Sequence, residues 1–195
     1  ENGRLASLHD AILGRRPRVP LRRLFHWPVV NCLPACIRAI AHADLVVFCP
    51  GSLMTGIVSV LLTRGIQTAL RVTKARKVQV VNIMTQPGQT DGMSARDHIE
   101  TLATYLGTAP DAAIVNSKRP PAKWLKAYRK EGAEPVRLDV DGLRESRVIQ
   151  ADLLEPAGKD VLALYERASG TPLFTGLHSI RHDPTKLGRI LRSFS

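Results

Sequence analysis

Two stretches decide how this chain folds: Ala43–Gly56, ADLVVFCPGSLMTG, and Lys77–His98, KVQVVNIMTQPGQTDGMSARDH. Each begins with an apolar run short enough for one buried strand. Each continues through a loop of Pro, Gly and small hydroxyl residues into a helix-like segment. Continuous Val/Ile/Leu runs of this length are the mark of parallel strands covered on both faces. A loop that follows such a strand and opens a helix lies at the carboxyl edge of the sheet. Free backbone N–H groups and the helix dipole favour an anion there. Two such loops within about fifty residues suggest a phosphate-bearing ligand held between them.

Working outward, Pro34 suits the first turn of a helix running to about His42, where its missing N–H would be unpaired anyway. Leu45–Cys49 reads as the first strand. The stretch Leu53–Arg71 is helical in period but broken near Thr63–Gly65, giving two short helices. Lys77–Met84 is the second strand. Ser94 then caps a helix to Leu106, with Asp97 completing a capping-box-like pair and Gly107 ending it. Ala112–Val115 is a third buried strand, and Ala122–Lys130 a helix that Gly132 closes. Leu21–Trp27, Val136–Leu138 and Val148–Asp152 read as shorter strands. Asp183 caps a last helix through about Arg192, with Pro184 in its first turn. Strands alternating with helices give an α/β, three-layer αβα domain with a mostly parallel sheet. Residues 1–20 read as a loop or edge segment, and 21–195 as the domain.

The 195 residues suffice for a core that buries roughly 70% of the unfolded surface, with no need of disulfide or metal. Three cysteines, Cys32, Cys36 and Cys49, lack a second Cys/His pair at ligand spacing and read as reduced thiols. No run approaches the roughly 18 apolar residues of a membrane span, and no signal peptide is visible, so a cytoplasmic protein is expected. The formal charge is +11, and many of the basic residues fall in four groups. These are Arg15–Arg23, Arg71–Lys77, Lys118–Lys130 and Lys186–Arg192. Trp124 and Tyr128 are the only aromatics interleaved with the basic residues, and no nucleic-acid motif accompanies them. A solvated surface suited to an anionic metabolite is the expected reading, rather than a nucleic-acid interface.

The first loop, Cys49-Pro50-Gly51-Ser52, offers close backbone approach at Gly51 and a hydroxyl at Ser52. It also reads as an ordinary turn, being neither a Walker loop nor a dinucleotide fingerprint. The second loop, Asn82 to Gly92, is less ordinary. Asn82, Thr85, Gln86, Gly88, Thr90 and Asp91 make it dense in hydrogen-bonding groups and permissive dihedrals, which suits a sugar or diphosphate. Asp91 can serve ribose hydroxyls, a phosphate-bound Mg²⁺, or a plain turn. Asp97 and His98 read equally as capping or chemistry. Asn116, ending the third strand, reads equally as a base or sugar contact and as a turn residue. Arg181 can fork onto a diphosphate, His182 can move a proton, and Asp183 caps its helix. No nucleophile or carboxylate pair stands at diagnostic spacing.

These segments occur in one order. They are Pro50-Gly51-Ser52-Leu53, Met84-Thr85-Gln86-Pro87-Gly88-Gln89-Thr90-Asp91-Gly92 with Asp97-His98, Val115-Asn116, Glu131-Gly132-Ala133-Glu134-Pro135-Val136, and Arg181-His182-Asp183. Together they resemble the CofD/YvcK family, which unites 2-phospho-L-lactate transferases and bacterial gluconeogenesis factors, and they lie closer to the second branch. The resemblance implies a Rossmann-like fold with a nucleotide cleft. For the gluconeogenesis-factor branch it implies a nucleotide-sugar ligand and regulation of carbon flux, cell shape or the cell wall. For the transferase branch it implies Mg²⁺-assisted transfer of a phosphate-containing group from a nucleoside diphosphate donor. Gly51 and Ser52 match the family's phosphate loop, Thr85 to Gly92 its second loop, and Arg181 an arginine implicated in UDP-sugar binding. Cys49 and Met54 depart from the family's usual glycine and tyrosine. The family's N-terminal glycine-rich unit has no counterpart in this sequence, so the expectation is one wall of a nucleotide cleft. A homodimer is expected from symmetry statistics alone.

Overall fold

The computed structural model describes residues 23–156 and 180–194. The expected loop or edge segment 1–20, and most of the first basic group, lie outside the described residues. Helix α1 (Pro34–Ala41) leads to β1 (Leu45–Phe48), then to a π-helical turn (Leu53–Val58) continuing into α2 (Ser59–Leu61). There follow α3 (Ile66–Val72), β2 (Arg76–Val80), α4 (Ala95–Leu106), β3 (Ala112–Asn116), α5 (Ala122–Lys130), β4 (Arg147–Ala151) and α6 (Pro184–Leu191). The four strands form one sheet in the order β1-β2-β3-β4, and every neighbouring pair is parallel. The α/β three-layer expectation is met.

Alternation along the strands builds the layers. Leu45, Val47, Val78, Val80, Ala112 and Ile114 share a cluster with Leu187, Ile190 and Leu191, so α6 covers that face. Val46 and Phe48 pack with Leu70, Leu102 and Leu106 on the opposite side. Val81, Ala113 and Val115 join Ala95 and Ile99 there, so α4 is the main cover of the second face. Because both faces are occupied, Ala112–Val115 is buried throughout, as a continuous apolar run requires.

The helix punctuation holds. Ser94 Oγ accepts from the Asp97 N–H while the Asp97 carboxylate accepts from the Ser94 N–H at 2.7 Å, a complete capping box. Gly107, at φ 80°, closes α4 in the left-handed region that favours glycine. Asp183 caps α6 by accepting from the Thr185 and Lys186 N–H groups. Helices α2 and α3 are separate, as expected. Their junction carries Gly65 at φ 100°, and the N–H of Cys32 donates to the Arg64 carbonyl at 3.0 Å.

Three strand expectations change. The second strand ends at Val80 rather than Met84. The Val81 N–H still reaches the Ile114 carbonyl, but Asn82 then turns toward the first loop. Residues Val136–Leu138 form no strand: Arg137 makes an isolated bridge with Ser94, and the preceding Pro135 one with Met84, because the segment crosses the second loop. Within Leu21–Trp27, residues 23–27 form no strand; 21 and 22 lie outside the described residues. Phe25 and Trp27 stand exposed there, at 52% and 88%.

The capping box has a measurable worth. Ser94→Ala should lower unfolding free energy by about 1–2 kcal/mol, since the Asp97 N–H loses its acceptor and the Asp97 carboxylate loses the hydroxyl donor. Urea denaturation should show a lower midpoint at unchanged slope.

Candidate functional site at the carboxyl edge of the sheet

Parallel pairing of β1 with β2 sets the two loops side by side. A single amide then ties them together. The Gly51 N–H donates to Asn82 Oδ1 at 3.0 Å, and Asn82 Nδ2 donates back to the Gly51 carbonyl at 2.6 Å. A second tie runs from Gln86 Nε2 to Ser52 Oγ at 3.0 Å. Ser52 opens the π-helical turn, its carbonyl accepting from the Gly56 and Ile57 N–H groups. Such wide turns cost backbone regularity and recur at functional sites.

The second loop is held from inside and from below. Thr90, fully buried, accepts the Gln86 N–H on its hydroxyl at 2.8 Å. Asp91 accepts the Gly88 N–H at 2.6 Å, and both Gly88 (φ 82°) and Gly92 (φ 70°) occupy the left-handed region. Thr85 is buried and sews the loop to the segment beyond α5. Its N–H donates to the Glu134 carbonyl at 2.7 Å, and its hydroxyl accepts the Glu134 N–H at 2.9 Å. Thus Asn82, Thr85 and Thr90, read from sequence as ligand donors, spend their polar atoms on shaping the loops. Gln86 and Gln89 each keep a buried Oε1 with no partner among the described residues. Asp91 is the loop's one carboxylate, and no group of three potential metal-binding side chains occurs among the described residues.

Across the edge, Ile180 shares a cluster with Ile83 and Met84, which brings the Arg181 stretch against the entry to the second loop. Arg181 Nη2 donates to Glu155 Oε2 at 2.7 Å, and its Nε is buried without a partner. Glu155 occupies one of the guanidinium's five N–H groups. His182 bridges to Leu154, and burial pushes its imidazole down to about 4, against a weaker opposing bond to the Val81 backbone. Neutral at pH 7, it can take a proton from a ligand only at that desolvation cost. His98 is a structural imidazole. Its Nδ1 lies 2.8 Å from the Ser94 carbonyl, which can only accept, so Nδ1 carries the hydrogen, and burial lowers its affinity for a second proton. Asn116 also turns inward: its Oδ1 accepts the Leu153 N–H at 3.1 Å and its Nδ2 donates to the Lys118 carbonyl at 2.6 Å.

A cleft of about 440 Å³ opens beside Asn116. Lys118 and Arg119 from the β3–α5 loop, Arg129 from α5, and the Glu134–Leu138 strap line it. Composition showed the basic group Lys118–Lys130 but not that the strap folds back to set Arg137 opposite it. The signal is the Thr85–Glu134 exchange, made by the backbone and hydroxyl of Thr85, which no sequence pattern announces.

Residues 11–154 match the family described as 2-phospho-L-lactate transferase CofD. The chain belongs to the CofD family. Within it, the named relatives are gluconeogenesis factors. A putative gluconeogenesis factor of Thermotoga maritima is 33% identical over 166 residues, covering 85% of this chain and 48% of that protein. The gluconeogenesis factor of Bacillus subtilis is 36% identical over 146 residues, covering 74% and 45%. A crystal structure of a UPF0052-family protein from Bacillus halodurans superposes with TM-score 0.69 at 28% identity, covering 83% of this chain and 47% of that one. A second structure of a protein from the same organism gives 0.74 at 28% identity, covering 89% and 51%. This CofD-family chain therefore spans between 28% and 50% of the length of the curated relatives compared.

The buried histidines make stability pH-dependent. Folded His182 binds its proton less readily than the unfolded side chain, so its contribution is intact above about pH 6.5 and is lost as pH falls toward about 4. Asp97, held down first by the Ser94 N–H, and Asp152, held down first by the Lys118 ammonium, add losses only below that window. Urea titrations from pH 7 to 4 should show falling stability, and His182→Gln should flatten the decline.

Proposed function

We propose that this chain binds a nucleotide-sugar, or a related nucleoside diphosphate, along the edge formed by the two loops and Arg181. The reading includes a regulatory role in central carbon metabolism or cell-wall and cell-shape processes, exercised in the cytoplasm. The observation that carries it is the reciprocal Gly51–Asn82 pair. It fixes a glycine-and-serine turn against a second loop whose Gln86 and Gln89 still hold buried unpartnered oxygens. Preformed loops of this kind let backbone N–H groups approach an anion without an ordering cost at binding. Arg181, steadied by Glu155, supplies the planar fork that suits a diphosphate.

Mg²⁺ fits this site as a companion of the ligand, with Asp91 as its single carboxylate and the diphosphate supplying the other oxygens. When bound it would neutralise the diphosphate charge. The gluconeogenesis-factor names of the relatives favour the regulatory reading over transfer chemistry.

Thermal denaturation with a nucleotide panel, with and without Mg²⁺, tests this. A UDP-sugar at about 100 times its dissociation constant should stabilise the fold by about 2.7 kcal/mol. Arg181→Ala should abolish the shift. Asn82→Ala should weaken it while costing about 1 kcal/mol of intrinsic stability, through loss of the clamp. Turnover of a guanosine diphosphate donor with no response to any UDP-sugar would overturn the regulatory reading in favour of a transferase.

A further inference from the structure

The cleft beside Asn116 adjoins the second loop at Ile83 but is lined by none of that loop's polar side chains. Of the residues read from sequence as ligand-binding, only Asn116 lines it; Gly51, Ser52, the Thr85–Asp91 loop and Arg181 do not. Four cationic side chains, Lys118, Arg119, Arg129 and Arg137, face it against one carboxylate, Glu134. Two of the four have acceptors of their own. Lys118 Nζ lies 3.0 Å from Asp152 Oδ2, and Arg137 Nη2 donates to the Gly92 carbonyl at 3.2 Å. The side chains of Arg119 and Arg129 have no acceptor among the described residues.

The walls are preformed. The strap bearing Glu134 and Arg137 is pinned by the two Thr85–Glu134 bonds, by the Val136 N–H to the Ile83 carbonyl at 2.9 Å, and by the Ala95 N–H to the Arg137 carbonyl at 2.8 Å. Ile83 and Pro120, both buried, and Pro135 and Val136 supply apolar surface between the charges. A volume near 440 Å³ falls in the range of small-molecule sites. A merely solvated basic surface would have neither a concave apolar floor nor walls fixed by backbone hydrogen bonds.

We propose that this cleft binds a small phosphate monoester, its phosphate between Arg119 and Arg129 and its organic body against Ile83, Pro120, Pro135 and Val136. Two guanidinium forks match the oxygens of a phosphate, which is close to dianionic at neutral pH. The apolar floor then distinguishes an ester from the free inorganic ion. Because the strap is sewn to the second loop through Thr85, an occupant here would also brace that loop.

Titration calorimetry on the whole chain, in chloride buffer, with phenyl phosphate and with inorganic phosphate as probes, tests the assignment. Phenyl phosphate should bind more tightly than inorganic phosphate. Arg119→Gln/Arg129→Gln should weaken it at least tenfold with an unchanged melting temperature, since both side chains are exposed. Arg181→Ala, and the charge-matched control Arg71→Gln/Lys74→Gln, should leave its dissociation constant within twofold. No binding by the unaltered chain, equal affinity for the two probes, or an equal loss in Arg181→Ala or in the control would overturn the proposal. The Arg181→Ala arm separates its failure from failure of the diphosphate reading.

Discussion

The exchange of two hydrogen bonds between the Asn82 amide and the backbone of Gly51 is the constraint on which the carboxyl edge depends. Parallel strands bring their following loops near one another, but proximity alone leaves loops free to choose many conformations. A side-chain amide can donate and accept at once, so one residue satisfies both polar groups of a glycine in the neighbouring loop. The second strand stops two residues before Asn82 so that this side chain can reach sideways. Three other contacts build on that fixed point: the Gln86–Ser52 bond, the enclosed Thr90 hydroxyl, and the Thr85 stitch to the strap beyond α5.

The site is thus made in two tiers. The lower tier consists of groups that are polar yet spent, such as Asn82, Thr85, Thr90 and Asn116, each bonded to backbone. The upper tier consists of groups held in place but not exhausted, among them Arg181 and the Gln86 and Gln89 oxygens. Groups fixed in this way need little reorganisation to meet a partner, the guanidinium as a donor and the amide oxygens as acceptors. The same economy keeps His182 neutral: it is positioned by burial, and burial is what denies it a charge.

Much of the fold was legible because its signals are local. Ser94 with Asp97, Gly107, Asp183 before Pro184, and the apolar run Ala112–Val115 each act within a few residues, and each behaves as read. The edge of the sheet was legible for the same reason, through loop composition and strand order. The misreadings came where tertiary context decides. Asn82–Met84 continues an apolar strand run, yet the clamp at Asn82 draws it out of the ladder. Val136–Leu138 alternates like a strand, yet its partners are a loop and a helix cap. Within the candidate site, sequence brought the two loops to one edge but could not tell a polar side chain left open from one that holds its own loop. The cleft's cations come from segments far apart in the chain, which meet through tertiary contacts such as the Thr85–Glu134 exchange.

One feature of the sheet bears on how such a chain behaves in solution. Strand β1 is one of the two edge strands, its Leu45, Val46 and Val47 only partly covered, and among the described residues no strand pairs with its outer side. Nearby, Trp27, Val29, Val30 and Leu33 lie on the surface, and α1 buries none of its residues. Unsatisfied strand backbone beside apolar side chains is a growing point, at which further polypeptide can extend the sheet by the ladder already in use. Colloidal behaviour is then set by a contest between this adhesive margin and the mutual repulsion of a strongly cationic chain. Added salt, by screening the repulsion, tips that contest toward self-association.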